Sequence, residues 1–91
     1  MELKDTIGQM TSADYKERFK AEYWQTSIRY NKLRDFIDKY ERNELDSEPS
    51  CPMWVHYLQA DIMSAYLNVL DQRVKLENVD LLEVWLWEAL R

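Results

Sequence analysis

Apolar residues in the first half of the chain form a ladder. Phe19, Tyr23, Thr26, Tyr30, Leu33, Ile37 and Tyr40 recur at steps of four, three, four, three, four, three. That period of about 3.5 puts them on one stripe of an α-helix. Trp24, Ile28 and Phe36 lie beside the stripe and widen it. Neither Pro nor Gly interrupts the chain between Gly8 and Pro49. Thr11 and Asp14 have the spacing of a capping box, and Met10 and Tyr15 take the two positions of a hydrophobic staple. The pattern therefore predicts a first helix over 11–42. At about 30 residues it would run about 45 Å, too long for a compact chain of 91 residues to cover. A partner is expected. Residues 1–10 are weakly patterned and are expected to be loose.

Residues 43–50 (NELDSEPS) read as a polar, acidic loop closed by Pro49. A second helix is expected over 51–76, with Pro52 in the first turn, where its missing N–H is not needed. Its ladder reads Val55, Gln59, Met63, Tyr66, Leu70, Arg73, flanked by Leu58, Ile62, Ala65 and Val69. Gln59 and Arg73 are polar on an apolar seam and must find a partner or a ligand, because burying them bare is costly. Residues 78–91 (NVDLLEVWLWEALR) read as a short third helix capped by Asn78. It is apolar on several sides, which suits a place inside an assembly. The expected architecture is all-α: a long antiparallel helical hairpin plus a short C-terminal helix, one domain over 1–91, homo-oligomeric.

Composition narrows the chemistry. One Gly and two Pro are too few for a turn-rich β fold. One Cys excludes an internal disulfide framework, and one Cys with one His supplies neither a zinc site nor a conventional catalytic set. No catalytic residue, metal ligand or cofactor is expected. The net charge of −5 argues against a DNA or RNA polymer as partner. No apolar run reaches the length of a membrane span. A free thiol without a signal sequence fits a reducing cytoplasm. The charge is uneven, however: residues 15–42 carry eight Lys or Arg against five acids. A basic helix against an acidic remainder can hold a small anion or pair with itself.

Arg29, Lys32 and Arg34 form the clearest cationic cluster. Read plainly, they are a solvated face pairing with Asp35, Asp38 or Glu22. They could also clamp phosphate through charge-assisted hydrogen bonds. Cys51 and His56, five apart at a helix start, are better read as a free thiol and a surface or interface histidine than as a catalytic pair. Trp85 and Trp87 could stack on a base, but packing in an interface suits them better.

The run E-R-F-x-x-E-x-x-x-T-x-x-R-Y-x-K-L-x-x-F-I, from Glu17 to Ile37, and the ladder from Gln59 to Arg73 resemble the hairpin domain of phage anti-CBASS and anti-Thoeris sponge proteins. That domain is related to a small protein of crAss-like phages. The resemblance covers roughly residues 15–75. It implies a protein that sequesters cyclic nucleotide immune signals without catalysis. The expected ligands are cyclic di- or trinucleotides or cyclic ADP-ribose isomers, held between subunits of a homo-oligomer such as a hexamer in the host bacterial cytoplasm. By position, Lys32 corresponds to a phosphate-contacting lysine and Arg73 to an arginine of a second nucleotide site. Arg34 stands where one branch has a small hydroxyl residue. Glu17 stands where an aromatic stacks on a base, so Arg18 begins the shared motif and Tyr15, Tyr23 or Tyr30 would have to supply stacking. Thr26 replaces the usual Leu. The expected ligand-binding residues are Lys32, Arg34, Arg73, Arg18 and Tyr30. The alternative is a non-enzymatic helical module that grips a host protein through its Trp-rich tail.

Overall fold

The computed structural model describes residues 1–81, and all regular structure among them is helical. A 3-10 turn, Leu3–Thr6, runs into a short helix α1, Ile7–Met10. Two long helices follow, α2 (Tyr15–Glu41) and α3 (Met53–Leu76). They pack against each other as an antiparallel pair: Tyr23 bonds to Asp71, and the Phe36 ring meets the His56 ring. The tail helix expected over 78–91 lies outside the described residues from 82 onward, and Trp85 and Trp87 with it.

The first expected boundary moves. α2 starts at Tyr15, not at Thr11. Asp14 is its N-cap, and the carboxylate accepts from the Lys16 N–H at 2.9 Å. The Thr11 hydroxyl turns back instead and donates to the Ile7 carbonyl at 3.0 Å. The spacing read as one capping box thus straddles two helices, Thr11 finishing α1 and Asp14 opening α2.

Residues 1–10, expected to be loose, form a turn and a short helix that bond to α2. Thr6 is fully buried; its hydroxyl donates to the Leu3 carbonyl at 2.7 Å and accepts from the Gln25 side-chain amide at 2.8 Å. Gln25 also reaches the Met10 sulfur at 3.3 Å. Polar anchoring replaces the apolar periodicity that sequence reading looks for, so α1 lies docked on α2.

Both long helices end by the same device. Asn43 and Asn78 adopt left-handed backbone, with φ of 56° and 52°. The N–H of Glu44 then reaches the Lys39 carbonyl at 2.8 Å, and that of Val79 the Val74 carbonyl at 3.0 Å. These are Schellman closures, which satisfy carbonyls the helix end would leave bare. Asn78 therefore terminates α3 and is not the N-cap of a further helix, because an N-cap needs extended backbone. The turn folds Val79 back onto Phe19 and Leu70, with Tyr23, Leu67, Val74 and Leu81 around them.

The ladder of α2 faces α3 with Phe19 and Ile37 buried at either end. α3 is rotated from its expected seam. Its inward positions are His56, Ala60, Met63, Leu67, Leu70 and Val74, all buried or half-buried. Val55, Gln59, Tyr66 and Arg73 fall to one edge of the contact. Trp54, Leu58, Ile62, Ala65, Val69 and Leu76 face outward and are exposed. From Leu58 onward these outward residues also follow a heptad pattern, with Gln72 filling its one gap. α3 thus carries two seams on nearly opposite faces, and α2 covers one. No helix among the described residues is long and apolar enough to cross a membrane.

Candidate functional site

Rotation of α3 leaves a polar stripe of α2 uncovered along one side of the hairpin. Arg18, Glu22, Gln25, Arg29, Lys32, Phe36 and Lys39 recur at steps of four, three, four, three, four, three, so they share one line of the helix surface. The α3 edge residues adjoin it. The Tyr66 hydroxyl donates to Glu22, Arg73 pairs with Glu22 at 3.9 Å, and Gln59 shares a groove with Lys32. This flank gathers Arg18, Arg29, Lys32, Lys39 and Arg73 around a single stripe carboxylate, Glu22. The stripe of α2 thus carries four cations against one carboxylate, with further carboxylates adjoining it from Glu77 and the 44–50 loop.

Arg73 is the most constrained of these cations. Its Nε donates to Glu77 at 2.7 Å, and its guanidinium lies 4.3 Å from the centroid of the Phe19 ring. The Glu77 hydrogen bond chiefly, then the charges of Glu77 and Glu22, make it hold its proton more tightly than a free arginine, against a smaller opposing effect of burial. The polar residue expected on an apolar seam has found its partners: two carboxylates and an aromatic face. A phosphate arriving here must share or displace them.

Lys32 is exposed at the loop end of the same flank. It lines an open groove of about 720 Å³ with Phe36, Lys39, Gln59 and the 44–50 loop. Carboxylates of Asp35, Glu44, Asp46 and Glu48 outnumber the two lysines around that groove. Lys32 and Arg73 share a flank but not a site within one chain, since the ten residues of α2 from Glu22 to Lys32 rise about 15 Å. Arg34 lies across the hairpin from them. It pairs with Asp38 at 3.9 Å and sits close enough to Tyr57 to oppose the upward push that burial and the Glu41 charge give that phenol. Arg18 is on the flank, and its Nη1 donates to the Ser12 carbonyl at 2.8 Å, bracing the turn before α2. Tyr30 is half-buried on the ladder facing α3, away from the cationic stripe.

Three flank residues, Lys39, Glu22 and Tyr66, are not singled out by the sequence as binding candidates. Arg29, expected to cluster with Lys32 and Arg34, shares the stripe with Lys32 and lines a groove with Arg18 and Glu22, whereas Arg34 lies across the hairpin; the heptad spacing of polar residues is the signal that separates them. Lys39 belongs to the same stripe. Glu22 and Tyr66 form the bridge between helices, which no spacing within one helix reveals. His56 is not a surface residue either. It is half-buried, its ring 4.9 Å from that of Phe36, with Cys51 Sγ 3.2 Å from its Nε2. Among the described residues, no group of three or more His, Cys, Asp or Glu is placed to hold a metal ion.

No curated protein and no solved structure matches this chain. The Sequestin family model matches residues 13–76. That span takes in α2, the loop and α3, and with them every cation of the flank. On that match, which covers well over half of the 91 residues, the chain belongs to the Sequestin family.

Proposed function

We propose that this Sequestin-family chain is a phage counter-defence protein that binds cyclic nucleotide immune signals in the host bacterial cytoplasm and withholds them without degrading them. The observation that carries the reading is the gathering of Arg18, Arg29, Lys32, Lys39 and Arg73 on one flank of a hairpin whose residues 15–76 carry equal numbers of cations and acids. Cyclic di- and trinucleotides and cyclic ADP-ribose isomers present phosphates beside flat bases. Such ligands ask for several cationic forks, aromatic faces and exclusion of water. Lys32 and Arg73 are the phosphate contacts in this reading, Arg18 supports them, and Tyr30 and Arg34 join only if a neighbouring copy brings them in.

One copy cannot enclose such a ligand, because its cations are strung along α2 over about 30 Å. An uncovered apolar face supports the self-assembly this reading needs: the outer seam of α3 leaves Trp54 at 65 %, Ile62 at 60 % and Val69 at 57 % exposed. An apolar helix face of that extent fits an interface between copies. The rival reading, a grip on a host protein through the Trp-rich tail, rests on residues outside the described ones.

A thermal-shift panel of cyclic di- and trinucleotides and cyclic ADP-ribose isomers tests the proposal. A ligand at a hundred times its Kd adds about 2.7 kcal/mol of stability. The expected result is a shift with at least one ligand, which is recovered unaltered after denaturation. The shift is expected to shrink in Lys32→Ala, whose exposed side chain costs the fold less than about 0.5 kcal/mol. No shift with any of these ligands, or a ligand recovered cleaved, overturns it.

A further inference from the structure

α1 lies outside the residues shared with the family, yet it builds a groove with them. Met10 of α1 forms one wall, Tyr66 of α3 lies opposite, and Arg18, Glu22, Gln25 and Arg29 of α2 are the floor. The space is about 340 Å³, at the small end of the roughly 300–1,000 Å³ usual for small-molecule sites. It has room for one nucleotide-sized guest. Unlike the shared site proposed above, it is complete within one chain.

Its parts are held in place. Thr6 is buried and bonded to Gln25, and Gln25 in turn holds the Met10 sulfur at 3.3 Å, so the α1 wall is fixed to the floor. The Tyr66 hydroxyl is anchored on Glu22, which orients the ring while leaving it 41 % exposed. Glu22 is itself offset by Arg73 at 3.9 Å. Arg29 is exposed and makes no ion pair or hydrogen bond among the described residues, and Arg18 spends one nitrogen on the Ser12 carbonyl. A planar cationic fork without a partner is suited to bidentate phosphate. A methionine and a tyrosine ring lining one groove suit a flat, weakly polar ring beside them.

We infer that this groove is an organic-phosphate site that takes a phosphate monoester bearing one flat ring, with Arg29 on the phosphate and Met10 and Tyr66 against the ring. Adenosine 5′-monophosphate is the probe, followed by amide chemical shifts of the full-length protein. It is expected to saturate, with shifts at Met10, Glu22, Gln25 and Arg29. Adenosine alone, which lacks the charge-assisted contact, and inorganic phosphate alone, which lacks the ring contacts, are each expected to bind at least about tenfold more weakly. Arg29→Gln should weaken the monophosphate about tenfold or more, whereas Arg34→Gln, removing an equal charge across the hairpin, should leave it within about twofold. Equal losses in the two variants, unchanged binding in Arg29→Gln, or non-saturating shifts spread over all cationic residues overturn the site. Lys32→Gln separates this inference from the preceding proposal: it should weaken cyclic nucleotides and spare the monophosphate. Monophosphate binding without any cyclic nucleotide binding keeps this site and removes that proposal.

Discussion

Tyr23 illustrates what a single polar contact does to this fold. Its hydroxyl donates to Asp71 at 2.8 Å across the hairpin, and burial first, then the Asp71 bond, push its pKa up to about 12. An unfolded tyrosine ionises near pH 10. The native state therefore keeps a proton that the unfolded state loses between about pH 10 and 12, so stability falls as pH rises through that window. Below about pH 10 the contribution is whole. Urea titrations should show this alkaline loss, and Tyr23→Phe should remove that part of the slope while costing about 0.5–1.5 kcal/mol at neutral pH. An unchanged slope in Tyr23→Phe would show that another group governs the transition. Arg73 differs from Lys32 at this scale. It contacts Glu77, Glu22 and Phe19, so Arg73→Ala should lower stability by about 1–3 kcal/mol as well as weaken ligand. Of the two, only Lys32 gives a binding test free of a folding penalty.

At the scale of elements, the long helices were legible because their ladders are long and uninterrupted, and the helical hairpin follows from them. The rotation of α3 was not legible. Two heptad patterns coexist on that helix, and nothing in its sequence says which one α2 takes. Small and large side chains decide it: Ala60 lets α2 approach, and Leu70 fills the space beside Phe19. Leu70→Ala should therefore cost about 2–5 kcal/mol, whereas Leu58→Ala on the outer seam should cost an isolated chain far less. Denaturant midpoints below the assembly concentration would separate the two, and equal losses would mean the seams are assigned the wrong way round. The N-terminal elements were missed because hydrogen bonds of Thr6 and Gln25 hold them, and apolar spacing is blind to such bonds. Asn78 was misassigned because Asn suits both an N-cap and a left-handed C-terminal position, and only the backbone angle distinguishes them.

For the whole molecule, the candidate site was half legible. Lys32, Arg73 and Arg18 stood out and do lie on one flank, but their grouping with Arg34 does not survive the hairpin geometry. Arg29, two turns before Phe36 on the same stripe, takes its place. In the proposed assembly, the outer seam of α3 is the surface through which copies meet. Ile62→Glu puts a charge at its middle without touching the inner face, so helicity should persist while sedimentation shows a smaller particle. Unaltered sedimentation would mean that copies meet elsewhere or not at all.

A helix with a neighbour on each side cannot loosen from one without disturbing the other. If copies pair through the outer seam as proposed, the grip of α3 on α2 and its grip on a second copy pass through the same backbone, and the two equilibria are thermodynamically linked. Concentrating the protein should then raise its melting temperature, and an apolar-to-charged change on the outside should make a well-formed hairpin melt sooner.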